Sequence, residues 1–324
     1  MDEPTQKIST EQTAQPAEAV PERGALWIFV GENGIRAGWS ALIFFAIFIA
    51  LEIVSAFTLR HFFRPHPDMN APVGPRIVLL QEAVQLILVL AATAIMAVIE
   101  KRRIVVYGYA GSARVSRFIF GLLWGFVAIS VLVGALWRTH LLAFDGSPLG
   151  GTTALKYAAA WALFFLIVAL FEESLLRGYL QYTLARGIGF WWAALLLSTL
   201  FGVIHKGNAG ESPVGLFSAA AVGLVFCLSL WYTGSLWWAI GFHTAWDWGQ
   251  TYFYGTSDSG MIARGHLLSE HPTGALLWTG GATGPEGSLL ILPLLLVMIL
   301  LMWLWWGRRG SSPFQQKAAA VAEL

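Results

Sequence analysis

Residues 157–179 read YAAAWALFFLIVALFEESLLRGY. The apolar part of this stretch approaches the length of about 20 residues that a helix needs to cross a bilayer. Two adjacent glutamates, Glu172 and Glu173, follow within the same run, and Arg177 comes four positions after the second. Ionisable groups at membrane depth are costly, so they usually face the interior of a helix bundle or a wet cavity. The stretch therefore predicts a membrane helix that brings charged groups into a bundle.

The composition of the whole chain is also typical of a membrane protein. Of its 324 residues, 56% are hydrophobic and only 12% are charged, whereas soluble domains carry about 25% charged residues. The formal net charge of +1 gives no indication of nucleic-acid binding. Cys227 is the only cysteine, which excludes a disulfide within the chain and a cysteine-based metal site. We therefore expect an all-α, polytopic helical bundle in a lipid bilayer, with no nucleic-acid partner.

Eight segments have the length and apolarity of transmembrane helices. The predicted spans are 37–59, 76–99, 117–137, 157–184, 190–207, 213–232, 235–254 and 288–306. No internal repeat is evident. The predicted organisation is a disordered polar tail (1–25), N-terminal transmembrane helices (26–149), a membrane core that holds the polar spans (150–307) and a C-terminal tail (308–324).

Basic residues near the span ends predict the orientation, because they collect on the cytoplasmic side of a membrane. Five of them, between the second and third spans, are Lys101, Arg102, Arg103, Arg114 and Arg117. Arg308 and Arg309 follow the last span, while Arg64 and Arg76 in the first outer loop oppose this trend. Since an even number of spans puts both termini on one side, we predict a multi-pass protein of the cell (inner) membrane with cytoplasmic N- and C-termini.

Helical spacing separates the two glutamates. Glu173 and Arg177 are at positions i and i+4, so they meet on one face of the helix and can neutralise each other. Glu172 is rotated by about 100° from Glu173, and no basic residue lies one turn further on. We therefore predict a structural pair, Glu173 and Arg177, and a second acid whose partner lies on another helix. The alternative is that both acids only hold the bundle together.

Two histidines lie inside apolar spans. His205 ends the stretch FGVIH (201–205), and His243 begins the stretch HTAWD (243–247). This places His243 and Asp247 one helical turn apart, a spacing at which two ligands can share a metal. A lone buried histidine is more often a hydrogen-bonded packing residue, but two histidines with an aspartate and an unpaired glutamate favour a site.

Helical rise predicts that these polar residues lie at one level of the bundle. Glu172 and His205 flank a tight turn at 187–189, and Asp247 follows a turn at 233–234. Each of the three lies about 20–23 Å from its turn along the helix axis. His243 lies one helical turn nearer than Asp247 to the turn at 233–234. Elsewhere in the spans, Glu82 is expected near a solvated helix end, and Glu52 has no evident partner.

The three motifs resemble those of the CPBP family, the CAAX-processing and bacteriocin-processing intramembrane proteases. EESLLR (172–177) resembles the family's EExxxR motif, FGVIH (201–205) its FxxxH motif and HTAWD (243–247) its HxxxN/D motif. The stretch GPEGS (284–288) also resembles one that is often seen before the last helix of bacterial members. The motifs occur in the family's order on separate spans, and the resemblance covers about residues 150–305.

The resemblance implies hydrolysis of a peptide bond in a membrane-associated substrate, such as a CAAX-like or leader peptide, by glutamate- and metal-activated water. It assigns the activation of water to Glu172, with His205 working beside it. It assigns metal binding or oxyanion stabilisation to His243 and Asp247. It also implies that Glu173 and Arg177 are an accompanying structural pair, which agrees with their spacing. The expected partner is a peptide or membrane-protein substrate.

Asp247 bears on the choice of mechanism, because many family members have asparagine at this position. An ionised aspartate would repel a developing oxyanion, whereas an amide could donate a hydrogen bond to it. Aspartate is the better metal ligand of the two. We therefore expect a divalent metal, with zinc favoured, on His205, His243 and Asp247, and Glu172 is a further candidate ligand. A metal-free glutamate mechanism stays open.

Two other classes of function fit the same residues. A catalytically silent scaffold or immunity protein could retain the polar layer, and a proton-coupled transporter could use acids and histidines as a relay. The lack of an internal repeat counts against a transporter. The intact set of reacting groups counts against a silent scaffold. The glycine-rich loop at 255–287 is a candidate substrate lid.

Overall fold

The computed structural model describes residues 25–31, 34–60, 72–111, 113–308 and 312–315, and these residues are mostly helical. The predicted tails and the basic residues Arg64 and Arg309 lie wholly or largely outside these ranges. The helices are α1 (Ala37–Leu59), α2 (Pro75–Ile99), α3 (Arg114–Arg138), α4 (Gly151–Glu173), α5 (Gln181–Ile188), α6 (Phe190–Ile204), α7 (Pro213–Thr233), α8 (Trp237–Asp247), α9 (Leu276–Thr279) and α10 (Ile291–Met302).

Wider π-helical turns and short strands complete the fold. Three helices continue as π-helical turns, α4 over Ser174–Leu180, α8 over Trp248–Phe253 and α10 over Trp303–Gly307. Short 3-10 turns lie at Ala25–Ile28, Ile104–Val106, His205–Gly207, Gly281–Thr283 and Pro285–Gly287. Two antiparallel pairs of strands are β1 (Val30–Gly31) with β2 (Gly34–Ile35), and β3 (Leu142–Gly146) with β4 (Ser269–Pro272).

The helices confirm a polytopic membrane bundle. Within the described ranges, six helices are long and apolar enough to cross a membrane, namely Ala37–Leu59, Val78–Ile99, Arg114–Arg138, Gly151–Ile188, Phe190–Gly207 and Pro213–Thr233. The eighth predicted span is the shorter apolar helix Ile291–Gly307. The seventh is α8 with its π-helical extension, and it carries polar side chains along its length. Six of the eight predicted spans therefore have full length, and the last two are shorter helices. The protein is an integral membrane protein.

Two tight turns form where the sequence predicts them. Gly189 separates α5 from α6 and has φ +82°, and Gly234 ends α7 with φ +63°. Residues with a side chain rarely adopt these left-handed angles, so glycine is suited to both turns. The chain therefore reverses between α5 and α6, and again between α7 and α8.

The fourth span bends directly after the glutamate pair. Gly151–Ile188 has 38 residues, which exceeds the roughly 20 that a straight helix needs to cross a bilayer. Within it, Gly178 has non-helical angles of φ −79° and ψ −116°, inside the π-helical turn that follows Glu173. Such π-helical turns are frequent at functional sites. The bend leaves Glu172 and Glu173 on the last turn of α4.

Glycines bring α3 close to α8, the helix that carries His243 and Asp247. Gly121 and Gly125 lie one turn apart on α3, and a Cβ on either would collide with the backbone of α8. A Cβ on Gly241 of α8 would likewise collide with the backbone of α3. Small residues at this spacing let membrane helices approach closely. The two helices are therefore packed backbone to backbone beside the predicted site.

The bundle has two distinct ends. One end, here called the terminal face, consists of residues 100–111, 186–190, 233–237 and 312–315. Its segments are joined by the Leu236 N–H bond to the Gly108 carbonyl (3.0 Å), by the Arg186–Glu100 ion pair (3.2 Å) and by the Ser312 hydroxyl on the Trp231 carbonyl (2.6 Å).

The opposite end, here called the loop face, consists of residues 138–150, 205–212 and 254–290. There β3 pairs with β4, and the backbone N–H of Ser212 donates to the Thr283 hydroxyl at 3.0 Å. The segment before α2 joins the same end through the Val73 N–H bond to the Ile262 carbonyl (2.9 Å). The loop at 255–287, a predicted lid, is therefore fastened to several elements at this end.

Candidate active site

The helices enclose a cavity of about 250 Å³, and all four predicted catalytic residues line it. Glu172 reaches it from the last turn of α4 and His205 from the residue after α6. His243 and Asp247 reach it from α8. The polar layer expected from helical rise is thus present in the structure, although their catalytic roles stay predictions.

His243 lies between carboxylates on two helices. Its Nε2 is 3.6 Å from Glu172 Oε2 and 3.3 Å from Asp247 Oδ2, and its Nδ1 is 3.3 Å from Glu173 Oε1. Carboxylate oxygens accept hydrogen bonds, so both ring nitrogens satisfy these neighbours only when each carries a proton. The partner that Glu172 needs on another helix is therefore His243.

His205 lines the cavity, and one of its ring nitrogens contacts the backbone of its own helix. Its Nδ1 is 2.7 Å from the carbonyl oxygen of Phe201, one turn earlier. Because a carbonyl can only accept, Nδ1 is the protonated nitrogen of this contact. A neutral His205 then has an unprotonated Nε2, which can accept a proton or a hydrogen bond. The ring of Phe201 also packs edge-on against the imidazole at 4.5 Å.

Glu173 and Arg177 form the predicted structural pair. Arg177 Nη1 is 3.2 Å from Glu173 Oε1, and both side chains are completely buried. The guanidinium lies over the ring of Phe201 at 4.4 Å. A Cβ on Gly223 of α7 would collide with Arg177 Nη2. The missing side chain at position 223 therefore leaves room for the buried cation.

One contact of Glu173 was not predicted. The oxygen that accepts from Arg177, Oε1, is also the one that faces Nδ1 of His243. The i, i+4 spacing shows the first contact, but the second joins residues 173 and 243 from distant parts of the sequence. Glu173 therefore orients His243 as well as neutralising Arg177.

Two acids of the N-terminal helices differ from the expectation. Glu82 lines the same cavity as Glu172, so it belongs to the polar layer and not to a separate solvated helix end. Glu52 has a partner after all, since Gln85 Nε2 donates to its Oε2 at 3.1 Å. Both differences arise because α1, α2 and α4 come together only in the folded bundle.

The loop face adds two further acids to the cavity wall, Asp258 and Glu286. Thr251 donates to Asp258 Oδ2 at 2.8 Å, and the N–H and hydroxyl of Ser259 both donate to Glu286 Oε1 at 2.7 Å. Burial raises the pKa of Asp258 well above its ordinary value, and the charges of Asp247 and Glu286 raise it further. Burial is also the main reason that the pKa of Glu286 is raised.

Only Glu286 of these loop acids had a signal in the sequence, within the stretch at 284–288. Asp258 had none, because its role depends on how the loop folds back over the bundle. The cavity wall thus carries five carboxyl groups and two imidazoles, from Glu82, Glu172, His205, His243, Asp247, Asp258 and Glu286.

The side chains as they stand do not fit the predicted zinc ion. Within the described residues, no group of three or more His, Cys, Asp or Glu side chains is arranged so that it could hold a metal. His243 instead directs both ring nitrogens at carboxylates, and His205 uses Nδ1 on a backbone carbonyl. The predicted ligand set of His205, His243 and Asp247 stays a prediction.

Comparison with known proteins identifies the segment that carries the site. Residues 154–249 match the family model described as type II CAAX prenyl endopeptidase Rce1-like. The matched segment runs from α4 to the turn after α8 and contains all the residues of the three motifs. The match is consistent with the CPBP family and confirms the resemblance. No curated protein matches the chain.

Proposed function

We propose, from the Rce1-like type II CAAX prenyl endopeptidase domain at residues 154–249, that this protein is an intramembrane endopeptidase that uses Glu172 to activate water. One observation carries the proposal. Glu172 lines the same cavity as His205, His243 and Asp247, and its carboxylate lies 3.6 Å from the imidazole of His243. A carboxylate and imidazoles around one small cavity supply the general acid and base that amide hydrolysis needs.

Glu172 acts first as a base and then as an acid. Water in the cavity donates a proton to the Glu172 carboxylate as its oxygen attacks the carbonyl carbon of the scissile peptide bond. The carbonyl oxygen becomes an oxyanion in the tetrahedral intermediate. The carbon–nitrogen bond then breaks, and Glu172 returns the proton to the leaving nitrogen. The products are a carboxylic acid and an amine, and Glu172 is ready for another cycle.

The remaining residues position and stabilise the reacting groups. His243, protonated between Glu172 and Asp247, can donate from Nε2 to the oxyanion, which is the type of interaction that contributes most in acyl transfer. Glu173 holds this ring through Nδ1, so the donor is oriented before substrate binds. His205 can accept a hydrogen bond from the attacking water through Nε2. No step in this sequence goes through a metal ion.

The proposal is tested by cleavage of peptides in reconstituted liposomes. The purified protein is mixed with membrane-associated peptides of two kinds, prenylated CAAX peptides and leader peptides, and new termini are identified by mass spectrometry. The wild type should cleave at least one kind, and Glu172→Gln should form the same products about 10²–10⁴-fold more slowly, the loss typical of general acid–base catalysis. Products that form equally with Glu172→Gln would overturn the proposal, provided that the variant is as well folded as the wild type.

A further inference from the structure

The catalytic cavity belongs to one end of the bundle. The loop residues on its wall all come from the loop face, namely Asn208, Asp258, Ser259, Met261 and Glu286. Other residues of the wall lie toward the same end, since His205 directly follows α6, Ser218 is in the second turn of α7 and Ile291 begins α10. No residue of the terminal face lines this cavity. Substrate therefore reaches the cavity from the loop face or from the adjoining half of the bilayer.

Both ends of the described helical bundle lie at the opposite face. A Cβ on Gly187 would touch Ala37, so α1 begins beside the turn between α5 and α6. At the other end of the chain, Ser312 bonds to Trp231, and Pro313 lies beside Gly234 at the turn between α7 and α8. The first and last described helices thus start and finish at the terminal face.

Basic residues are more numerous at the terminal face. Among the described Lys and Arg residues, eight lie at or next to this face, which are Arg36, Lys101, Arg102, Arg103, Arg114, Arg117, Arg186 and Arg308. Six lie toward the loop face, which are Arg60, Arg76, Arg138, Lys156, Lys206 and Arg264. The excess comes from the short connection between α2 and α3 and the start of α3, where such charges have most influence on orientation.

We infer that the terminal face is cytoplasmic and that the catalytic cavity opens on the extracytoplasmic side. The substrate class follows from this side and rests on the proposed function. It is an exported peptide, or a membrane-anchored segment, whose scissile bond is presented from outside the cytoplasm. A prenylated C-terminus held at the cytoplasmic surface would meet the terminal face, which contributes nothing to the cavity.

The side of the cavity is tested by cysteine labelling, for which the chain is well suited. Its only cysteine, Cys227, is buried, so Cys227→Ala gives a background without thiols. Two exposed residues then report the two faces, with Ser147→Cys on the loop face and Ala110→Cys on the terminal face. Intact cells are treated with a membrane-impermeant maleimide before and after permeabilisation.

The inference predicts that Ser147→Cys is labelled in intact cells and that Ala110→Cys is labelled only after permeabilisation. The reverse pattern, or labelling of both variants in intact cells, would overturn it. Because labelling does not require activity, this result is independent of the proposed function.

The substrate class is tested in sealed vesicles of the two orientations. A water-soluble leader peptide that cannot cross the bilayer is added outside right-side-out and inverted vesicles, with Glu172→Gln vesicles as the control. Cleavage should occur with right-side-out vesicles only. Cleavage with inverted vesicles only would overturn the inference and leave the proposed protease intact. If neither kind of vesicle cleaves the peptide while the labelling is as predicted, this substrate class is overturned. Cleavage of prenylated peptides in liposomes would then show whether the protease proposal survives.

Discussion

Two sides of the last turn of α4 face different surroundings. On one side, Glu173 and Arg177 are completely buried and paired at 3.2 Å, with the Phe201 ring over the guanidinium. On the other, Glu172 lines a cavity, and its carboxylate lies 3.6 Å from the imidazole of His243. Adjacent residues of the same type therefore have different surroundings, because one step along a helix turns the side chain by about 100°.

His243 connects the two sides. Its Nδ1 faces the buried Glu173, and its Nε2 faces Glu172 and Asp247 in the cavity. The buried charged pair is therefore in contact, through Glu173, with the imidazole that lines the cavity. Substitutions on the Glu173 side should therefore mainly change stability, and those on the Glu172 side should mainly change activity.

The largest change in stability is expected from Arg177→Met, which leaves Glu173 buried without its cation. Removing one partner of a fully buried pair costs about 3–5 kcal/mol. The double substitution Glu173→Leu with Arg177→Met is the matched control and should regain much of this loss, because two apolar side chains replace the pair. The free energy of unfolding is measured in detergent for the single and the double variant. A single variant as stable as the wild type would contradict a structural role for the pair.

Replacing Gly223 with alanine should lower the stability of the protein, whereas the same replacement at a second helical glycine should raise it. In Gly223→Ala the new Cβ collides with the Arg177 guanidinium, and overpacking of this kind costs about 1–3 kcal/mol. The control is Gly134→Ala on α3, where no atom lies within 4 Å of the added Cβ and where alanine should stabilise the helix by about 1 kcal/mol. Thermal unfolding of the two variants compares them. Equal shifts would show that Gly223 makes no special room for Arg177.

Removal of metal and Asp247→Asn together distinguish the two mechanisms at the cavity. The glutamate mechanism predicts that chelators leave the turnover rate unchanged. If residue 247 itself faces the oxyanion, Asp247→Asn, which offers an amide donor, preserves or raises this rate. The zinc mechanism predicted from the sequence requires that chelation remove activity, that added zinc restore it, and that Asp247→Asn weaken metal binding. Turnover and bound metal are measured on the same samples of wild type and variant.

The smallest effect is expected at the loop face, away from both sides of α4. The exposed His271 contacts Asp145 at 2.9 Å across β3 and β4, and this hydrogen bond raises the pKa of His271 above 6.5. A raised histidine pKa stabilises the folded state below pH 6.5, and this stabilisation is lost as the pH rises through the folded-state value. The thermal unfolding temperature should therefore fall slightly between pH 5 and pH 9, and His271→Gln should remove this fall. An identical decline in the variant would exclude the contact as its cause.

Much of the candidate site could be predicted from local spacing. The pair of Glu173 and Arg177 follows from i, i+4 geometry, and the common level of Glu172, His205 and Asp247 follows from helical rise and two glycine turns. These predictions depend only on distances along single helices and hairpins. The structure agrees with them because each turn forms where its glycine permits left-handed angles.

Contacts between distant segments could not be predicted in this way. The approach of Glu173 to His243, the entry of Glu82 into the cavity wall and the bond between Glu52 and Gln85 depend on how helices pack side by side. A single sequence shows which residues share a face, but it does not show which helix covers that face. The loop acid Asp258 was missed for the same reason, since a loop has no periodicity from which to place its side chains.

The division between the two glutamates is tested most directly by measuring cleavage and unfolding together for Glu172→Gln and Glu173→Gln. In the same liposome preparations, Glu172→Gln should unfold within about 1 kcal/mol of the wild type, as is usual for a substitution away from the buried pair. Its turnover should fall by about 10²–10⁴-fold, the contribution typical of general acid–base catalysis. Glu173→Gln should instead lose stability, because the charge that neutralises Arg177 is gone. Equal loss of folding in both variants, or retained cleavage by a folded Glu172→Gln, would contradict the account.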